Sequence, residues 1–172
     1  MVYKMNFHVN GGCRHNGQGH GAMGAAAAVW NGRRVHTHRT LMLPSLSSYD
    51  LEPINQRAEL TAVIMALLWA LERYEQLDGR PRARVRIYSD SRYAVDCMTT
   101  WVWKWASNGW LNARGREVAN RDLIEQASML DDQVRELGSL RYVWIPRTRT
   151  SLLTDIATRR WTRWRDPPEI MQ

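Results

Sequence analysis

Four acidic or amide residues stand at or near the ends of predicted elements, where side chains from distant parts of a chain can meet. They are Asn10 at the end of the first strand, Glu59 one turn into the first helix, Asp90 at the end of the fourth strand and Asp155 at the start of the last helix. Neighbouring parallel strands place their carboxyl ends together, and oxygen ligands that converge there suit a hard divalent ion such as Mg²⁺. The spacing alone leaves an alternative open, because helix starts also favour solvated carboxylates and Asp90 also suits a helix N-cap.

The elements that must position these residues begin with three predicted antiparallel strands. Residues 6–10 alternate in polarity before a break at Gly11-Gly12, residues 25–30 form an apolar run that ends at Asn31-Gly32, and residues 35–43 continue as a third strand. Asn-Gly between two strand-like runs predicts a hairpin turn.

A helix follows the Ser- and Pro-rich loop of residues 44–53. From Asn55 to about Tyr74, apolar residues recur at three- and four-residue spacing, which is typical of an amphipathic helix. The later predicted elements are a strand over 85–88, a helix from Ser91, a Trp-rich basic segment over 101–110, a helix from a capping Asn120 through Leu137, a strand over 140–145 and a closing helix over 152–164. This order predicts an α/β fold, with a mixed sheet and helices on both of its faces.

Length and charge limit the classes of function. The 172 residues, 44% of them hydrophobic, predict one domain over 1–172. The net charge of +7 favours a polyanionic partner such as nucleic acid, and residues 159–172 form a basic tail. No apolar run approaches the roughly 18 to 20 residues of a membrane-spanning helix, so no membrane segment is expected. The oligomeric state is taken to be monomeric.

The remaining reactive residue types do not indicate a second site. Cys13 and Cys97 cannot make a disulfide framework and fit a reducing intracellular compartment, and residues 1–10 lack the apolar stretch of a signal peptide. The five histidines form no ligand cluster, so a zinc site is not expected. The alternating arginines over 80–86 are interpreted as a solvated edge, with a nucleic-acid contact as the alternative.

Several specific motifs occur in order along the chain. They are Val9-Asn10-Gly11-Gly12-Cys13 with Asn16-Gly17 and Gly24 after it, Asn55-Gln56-Arg57-Ala58-Glu59-Leu60, Ile87-Tyr88-Ser89-Asp90-Ser91, and a basic, Trp-containing segment from Trp101 through Asn120. With these motifs the chain resembles ribonuclease H of the type 1, eukaryotic kind over about residues 5–162. In that family the motifs mark the first strand, a helix start, the fourth strand and a basic protrusion.

The resemblance implies a ribonuclease H-like mixed five-stranded sheet and an endonuclease that cuts the RNA strand of an RNA/DNA hybrid. The family mechanism uses two Mg²⁺ ions, with Mn²⁺ as a substitute, to activate a water and to stabilise the leaving oxygen. By motif position, Glu59, Asp90 and Asp155 would be catalytic metal ligands, and Asn10 occupies the fourth ligand position.

The resemblance also implies a nucleic-acid-binding surface, with an RNA/DNA hybrid as the partner and double-stranded RNA as an alternative. Its candidate contacts are Asn16, Asn55, Gln56, Trp101, Trp105 and Asn120. The two polar residues of the helix start would contact RNA 2′-hydroxyls and base edges in the shallow minor groove. The two tryptophans would line a channel for the DNA strand, and Asn120 would contribute to a pocket for a DNA phosphate. Trp103 and Trp110 suit core packing equally well.

Asn10 departs from the family pattern, which has at this position the Asp that bridges both metal ions. An amide oxygen is neutral and offers one good ligand atom, so two divalent cations lose a shared anion. Losing such a central ligand is expected to lower the rate roughly 10²-fold or far more. A natural pseudoenzyme and an introduced Asp→Asn change explain Asn10 equally well.

Two other departures concern residues outside the predicted metal site. Glu52 and Ile54 stand where hybrid-specific enzymes carry Arg and Thr, which predicts a weaker preference for a DNA strand. Residues 145–154 contain no histidine, whereas the family usually has a longer loop with a His that assists turnover. Two functions therefore stand side by side: a ribonuclease H of strongly reduced activity, and a catalytically dead module for nucleic-acid binding or assembly.

Overall fold

The structure is a computed structural model, and it describes residues 1–13, 22–30, 37–43 and 54–146. Its strands are β1 (Val2–Cys13), β2 (Ala22–Trp30), β3 (Thr37–Met42), β4 (Arg82–Ser89) and β5 (Gly138–Trp144). Its helices are α1 (Ile54–Glu75), α2 (Arg92–Asp96), α3 (Val102–Ser107) and α4 (Arg121–Glu136), with a π-helical segment, Cys97–Trp101, between α2 and α3. The predicted α/β fold class is confirmed.

The described strands form one mixed sheet in the order β3-β2-β1-β4-β5. The pairs β1–β2 and β2–β3 are antiparallel, whereas β1–β4 and β4–β5 are parallel. This arrangement agrees with the predicted sequence of hairpin-linked strands followed by parallel strands. Because β1 and β4 are central parallel neighbours, their carboxyl ends meet at the same edge of the sheet.

The first strand is longer than the sequence indicated. The prediction that β1 ends at Asn10 is wrong, because Gly11 and Gly12 continue the antiparallel ladder with β2 as far as Cys13. The parallel ladder with β4 stops earlier, at the pair of Val9 and Ser89. Asn10 therefore lies where β1 loses one of its two neighbouring strands.

The core lies between one face of the sheet and the helices α1 and α4. Alternate residues of β1 and β4 point into it, and α4 packs beside α1 and against β5. Its largest fully buried side chains include Met5, Phe7, Leu60, Leu67, Val85, Ile87, Met98, Ile124 and Val134. Cys97 is also buried there as a free thiol, and burial raises its pKa to about 12.

The backbone of β1 lies directly on the backbone of α1. A Cβ placed on Gly11 would come within 2.1 Å of the Glu59 amide nitrogen and 2.2 Å of the Ala58 carbonyl carbon. No side chain fits in this space, so only glycine permits the approach. The contact fixes the first turns of α1 relative to the end of the parallel ladder.

A buried ionic group joins α4 to β5. The Asp131 carboxylate is 3% exposed, pairs with Arg135 one turn later on α4, and accepts a hydrogen bond of 2.7 Å from the Tyr142 hydroxyl. Arg135 also reaches the Leu140 carbonyl at 3.5 Å. Burial, and then the charge of Asp131, hold the pKa of Tyr142 well above its ordinary value of 10.0.

Several predicted features lie outside the described residues. These are the Asn31-Gly32 turn, the loop of residues 44–53, the closing helix over 152–164, and the basic tail over 159–172. Within the described ranges, no helix has both the length and the apolar character needed to cross a membrane.

Replacing Gly11 with Ala is expected to lower the free energy of unfolding by about 1–3 kcal/mol, because the new methyl group forces β1 and α1 apart. Urea unfolding followed by circular dichroism measures the change. The control is Gly79→Asn, since Gly79 has a φ of +71 that Asn tolerates and nothing lies within 4 Å of its added Cβ. Equal effects of the two substitutions would contradict the close contact.

Stability should decline as the pH rises above about 10, in part because of Tyr142. Its folded pKa is raised, so its contribution to stability is complete below the unfolded pKa and is lost as the pH rises towards the folded pKa. Tyr142→Phe should be less stable than the unmodified chain at pH 8, by about 1 kcal/mol for the lost hydrogen bond. Urea unfolding at pH 8, 9.5 and 11 should show this difference shrinking, and a constant difference would disprove the assignment.

Candidate active site and nucleic-acid interface

The backbone positions of Asn10, Glu59 and Asp90 lie at the carboxyl end of β1 and β4. Val9 is the register partner of Ser89, so Asn10 and Asp90 are the next residues on strands about 4.8 Å apart. Gly11 then rests against the backbone at Glu59. All three residues are partly buried. The backbone thus brings three of the four predicted ligand positions to one edge of the sheet, while Asp155 lies outside the described residues.

Glu59 is held by hydrogen bonds to both of its carboxylate oxygens. The Ser91 hydroxyl donates to Oε2 at 2.5 Å, and the Asn55 amide donates to Oε1 at 3.1 Å. Ser91 is the N-cap of α2, where its hydroxyl oxygen accepts the Ala94 amide at 3.2 Å. The start of α1 and the start of α2 are thus tied together through one carboxylate.

Asp90 follows β4 directly and is fixed by its backbone. The Trp144 indole donates to the Asp90 carbonyl oxygen at 3.2 Å, and the Ile145 amide donates to the Ser89 carbonyl oxygen at 2.9 Å. The Arg92 guanidinium lies 4.1 Å from the centre of the Trp144 ring. An arginine therefore stands beside the predicted metal ligands, in a place suited to an anionic group.

The donor set fits a hard divalent cation in part. Carboxylate oxygens of Glu59 and Asp90 and the amide oxygen of Asn10 are the ligand types that Mg²⁺ prefers. The amide brings no charge, and the described residues contain no cluster of three or more His, Cys, Asp or Glu that could hold a metal. Two carboxylates and one amide are thus the ligands that the described part of the chain can offer.

A second polar group surrounds Asn120, which is 5% exposed. Its side-chain amide donates to the Tyr93 hydroxyl at 3.1 Å and to Gln56 at 3.5 Å, and its side-chain oxygen accepts from Arg57 at 3.3 Å. Asn120 is the N-cap residue of α4, as predicted, and its carbonyl oxygen accepts the first amides of the helix, but its side chain does not cap it. Its φ of 59° is left-handed, and its side chain makes no capping bond because it is engaged by these three residues instead.

Aromatic rings continue the surface from Asn120. Tyr93 meets Trp101 edge-on with a centroid separation of 6.0 Å, and Trp101 lies 5.5 Å from Trp105. Both tryptophans are partly buried, and the π-helical segment Cys97–Trp101 sets where the first of them stands. The row Tyr93, Trp101 and Trp105, with Asn120 at its end, is called the aromatic row below.

The other two tryptophans of this segment differ from each other. Trp103 is 57% exposed, so core packing is wrong for it. Trp110 packs against the core with a positive φ of 65°, and Arg121 lies 5.5 Å from its ring centre. Of these two tryptophans, only Trp110 packs against the core.

An ion pair fixes α1 to α4 beneath the aromatic row. Arg57 binds Asp122 through two nitrogens, at 2.6 and 3.0 Å. The hydrogen bonds from Arg57 hold the pKa of Asp122 below its ordinary range. Because Arg57 also bonds Asn120, one arginine positions both the start of α4 and the polar group beside it.

The sequence missed four residues that position the site: Arg57, Ser91, Tyr93 and Trp144. Ser91 had a signal, because a Ser after a strand-ending Asp is a strong N-cap residue. Arg57 lies inside the helix-start motif, between Gln56 and Glu59. Nothing local marks Tyr93 or Trp144, whose partners are 27 and 54 residues away. Asn16 and Glu52 lie outside the described residues.

The chain matches a known family model over most of its length. The model, described as RNase H, matches residues 3–145. A ribonuclease H of Anaeromyxobacter dehalogenans (strain 2CP-C) is 41% identical over 92 residues, which are 53% of this chain and 43% of that protein. One of Acidithiobacillus ferrooxidans (strain ATCC 53993 / BNL-5-31) is 40% identical over 116 residues, 67% of this chain and 61% of that protein. The chain thus spans about half the length of the curated relatives that it matches.

Solved structures share the fold. LC9-RNase H1, described as a type 1 RNase H with the type 2 active-site motif, has a TM-score of 0.66 and 23% identity, and the match covers 95% of this chain and 72% of that one. LC11-RNase H1, solved in complex with an RNA/DNA hybrid, has a TM-score of 0.52 and 16% identity, with 84% and 87% covered. The sheet order, the hydrogen bond that ties Glu59 to Ser91 beside Asp90, and the match over residues 3–145 lead to one assignment: the chain belongs to the RNase H family.

Proposed function

We propose that this chain binds RNA/DNA hybrids and hydrolyses the RNA strand, with activity strongly reduced by Asn10. The observation that supports the proposal is the placement of the backbone at Asn10, Glu59 and Asp90 along one edge of the sheet. The aromatic row supports it, because it supplies a stacking surface for bases next to that edge. The net charge of +7 suits a phosphate backbone.

The polar residues at the start of α1 would recognise the RNA strand. Asn55 and Gln56 are partly buried, and each is held by a hydrogen bond, to Glu59 and from Asn120 respectively. A preorganised amide can meet a 2′-hydroxyl at a fixed place, which is how a protein distinguishes RNA from DNA. Trp101 and Trp105 would then guide the DNA strand, and Asn120 would meet one of its phosphates.

Glu59 and Asp90 would hold Mg²⁺, with Asn10 as a neutral ligand and Asp155 as the further ligand that the family pattern assigns. Bound Mg²⁺ would lower the pKa of a water and stabilise the leaving oxygen of an in-line phosphoryl displacement. The chain's own part is orientation: Ser91 and Asn55 fix the Glu59 carboxylate, while Trp144 fixes the backbone at Asp90. The neutral amide of Asn10 weakens the attraction for cations and hence the reaction.

A second candidate function is nucleic-acid binding without hydrolysis. Asn10 favours it, because a bridging carboxylate is the ligand that two closely spaced cations need most. The aromatic row and the polar residues at the start of α1 serve binding whether or not the metal chemistry survives. The two functions therefore predict the same affinity and different rates.

Asn10→Asp should raise the rate of hybrid cleavage by roughly 10²-fold or more, because it restores an anionic ligand. A labelled RNA/DNA hybrid incubated in Mg²⁺ and in Mn²⁺ measures the rate. The control adds Asp90→Asn to this change and should return cleavage to the level of the unmodified chain. If Asn10→Asp binds the hybrid but cuts no faster, binding without hydrolysis is the function.

Trp105→Ala should weaken hybrid binding roughly 5- to 100-fold, since stacking on one aromatic side chain contributes about 1–3 kcal/mol per base. Fluorescence anisotropy in EDTA measures affinity independently of cleavage. Trp103→Ala is the matched control on the same helix and should change affinity less than twofold. Trp105→Phe should recover most of the affinity. Equal losses for Trp103 and Trp105 would count against the aromatic row as the binding surface.

A further inference from the structure

Four arginines line the face of the sheet that points away from α1. Arg82, Arg84 and Arg86 occupy alternate positions of β4, on the side opposite the buried Ala83, Val85 and Ile87, and Arg141 lies on β5. Arg82, Arg84 and Arg141 are exposed, and Arg86 is partly exposed. These four residues are called the basic face below. The expected solvent exposure is confirmed for Arg82 and Arg84, but the expected edge position is wrong, because β4 is an inner strand between β1 and β5.

Like charges stand side by side on the basic face. Arg86 is the register partner of Arg141, and Arg84 is the register partner of Lys4 on β1. Like charges directly opposite each other destabilise a sheet. No Asp or Glu occupies this face in β1, β4 or β5, and the described residues provide no ion pair for any of the four arginines.

An arginine on the other face of the same sheet behaves differently. Arg39 on β3 pairs with Glu72 of α1 through two nitrogens, at 2.5 and 3.0 Å, and lies 4.4 Å from the centre of the Trp69 ring. Its charge is neutralised within the fold. The basic face lacks such compensation, so its arrangement favours an anion from outside the described chain.

We infer that the basic face is a second nucleic-acid-binding surface, which holds a phosphate backbone without reading its sequence. A guanidinium binds phosphate through two parallel hydrogen bonds, and arginines two residues apart on a strand are about 6.7 Å apart. A duplex carries one negative charge per roughly 1.7 Å of its axis, so a row of arginines can meet several phosphates at once. A protein partner would have to bring several carboxylates to one row, whereas a nucleic-acid backbone presents negative charge along its whole length.

The basic face is separate from the candidate active site. Arg86 precedes Asp90 by four residues of extended chain and Arg82 precedes it by eight, which are distances of about 13 and 26 Å. Arg82 and Arg84 lie in the amino-terminal half of β4, and Arg86 and Arg141 lie near the middle of their strands, whereas the candidate site lies at the carboxyl end. One chain could therefore hold a hybrid at the site and a second nucleic-acid segment on the basic face.

The test compares a fourfold variant, Arg82→Gln, Arg84→Gln, Arg86→Gln and Arg141→Gln, with the unmodified chain. Binding of labelled hybrid and of duplex DNA is measured in EDTA from 50 to 300 mM KCl. The slope of log affinity against log salt should become shallower by about two to four, since each phosphate contact contributes roughly 0.9. A fourfold Arg→Lys variant keeps the charges and should keep most of the slope.

Single substitutions provide the matched comparison. Arg84→Gln should lower the slope by about one, whereas Arg39→Gln removes one already paired cation and should leave it unchanged. This pair of variants also serves if the fourfold variant does not fold. Equal slopes for Arg84→Gln and Arg39→Gln would overturn the inference.

Two further measurements separate the inference from its alternatives. A short hybrid at saturation should bind twice per unmodified chain and once per fourfold variant, and single occupancy of both would refute a second surface. Vesicles containing anionic phosphatidylglycerol test whether the basic face binds a membrane instead. If vesicle binding depends on the four arginines while the salt dependence of nucleic-acid binding does not, the inference is wrong and the face binds membranes. A shallower salt dependence of binding in the fourfold variant supports a second nucleic-acid-binding surface even if Asn10→Asp shows no cleavage.

Discussion

The backbone contact between β1 and α1 is the constraint on which the rest of the site depends. Gly11 leaves no room for a Cβ against the amide nitrogen of Glu59, so the strand and the helix meet at one fixed depth. The helix start therefore faces the point where β1 loses its parallel neighbour β4. A carboxylate on the second turn of α1 is then near Asn10 and Asp90 without any long loop to place it.

Hydrogen bonds connect the start of α1 to two other helices. Glu59 links α1 to the N-cap of α2 through Ser91, and Asn120 links α1 to α4 and to Tyr93. Neither group of bonds passes through the side chain of residue 10. The geometry of the site is thus set by backbone packing and by neutral and charged hydrogen bonds, and the identity of residue 10 changes its charge more than its shape.

The sequence predicted those features whose causes are local. The helix over 54–75 follows from apolar spacing, and the strands follow from alternation and turn residues. The errors arose where a residue distant in sequence determines the local structure. Pairing with β2 extends β1 beyond Asn10, and pairing with β5 makes β4 an inner strand. Hydrogen bonds with Tyr93 and Arg57 engage the Asn120 side chain, which therefore does not cap α4. Motif position predicted that Glu59 and Asp90 are neighbours. The hydrogen bonds by which Ser91 and Trp144 hold them could be found only from the fold.

Negative and positive side chains occupy different parts of β4 and its surroundings. Glu59 and Asp90 lie near the carboxyl end of β4, and arginines occupy its amino-terminal half and its middle. Phosphate is repelled by the first group unless cations intervene, and attracted by the second. In the proposed function, a neutral Asn10 leaves the repelling group with one negative charge fewer than an Asp would, which would weaken metal binding and also reduce the repulsion of a phosphate backbone. Under the proposed function, reduced hydrolysis and retained binding would therefore be two consequences of the same amide at position 10.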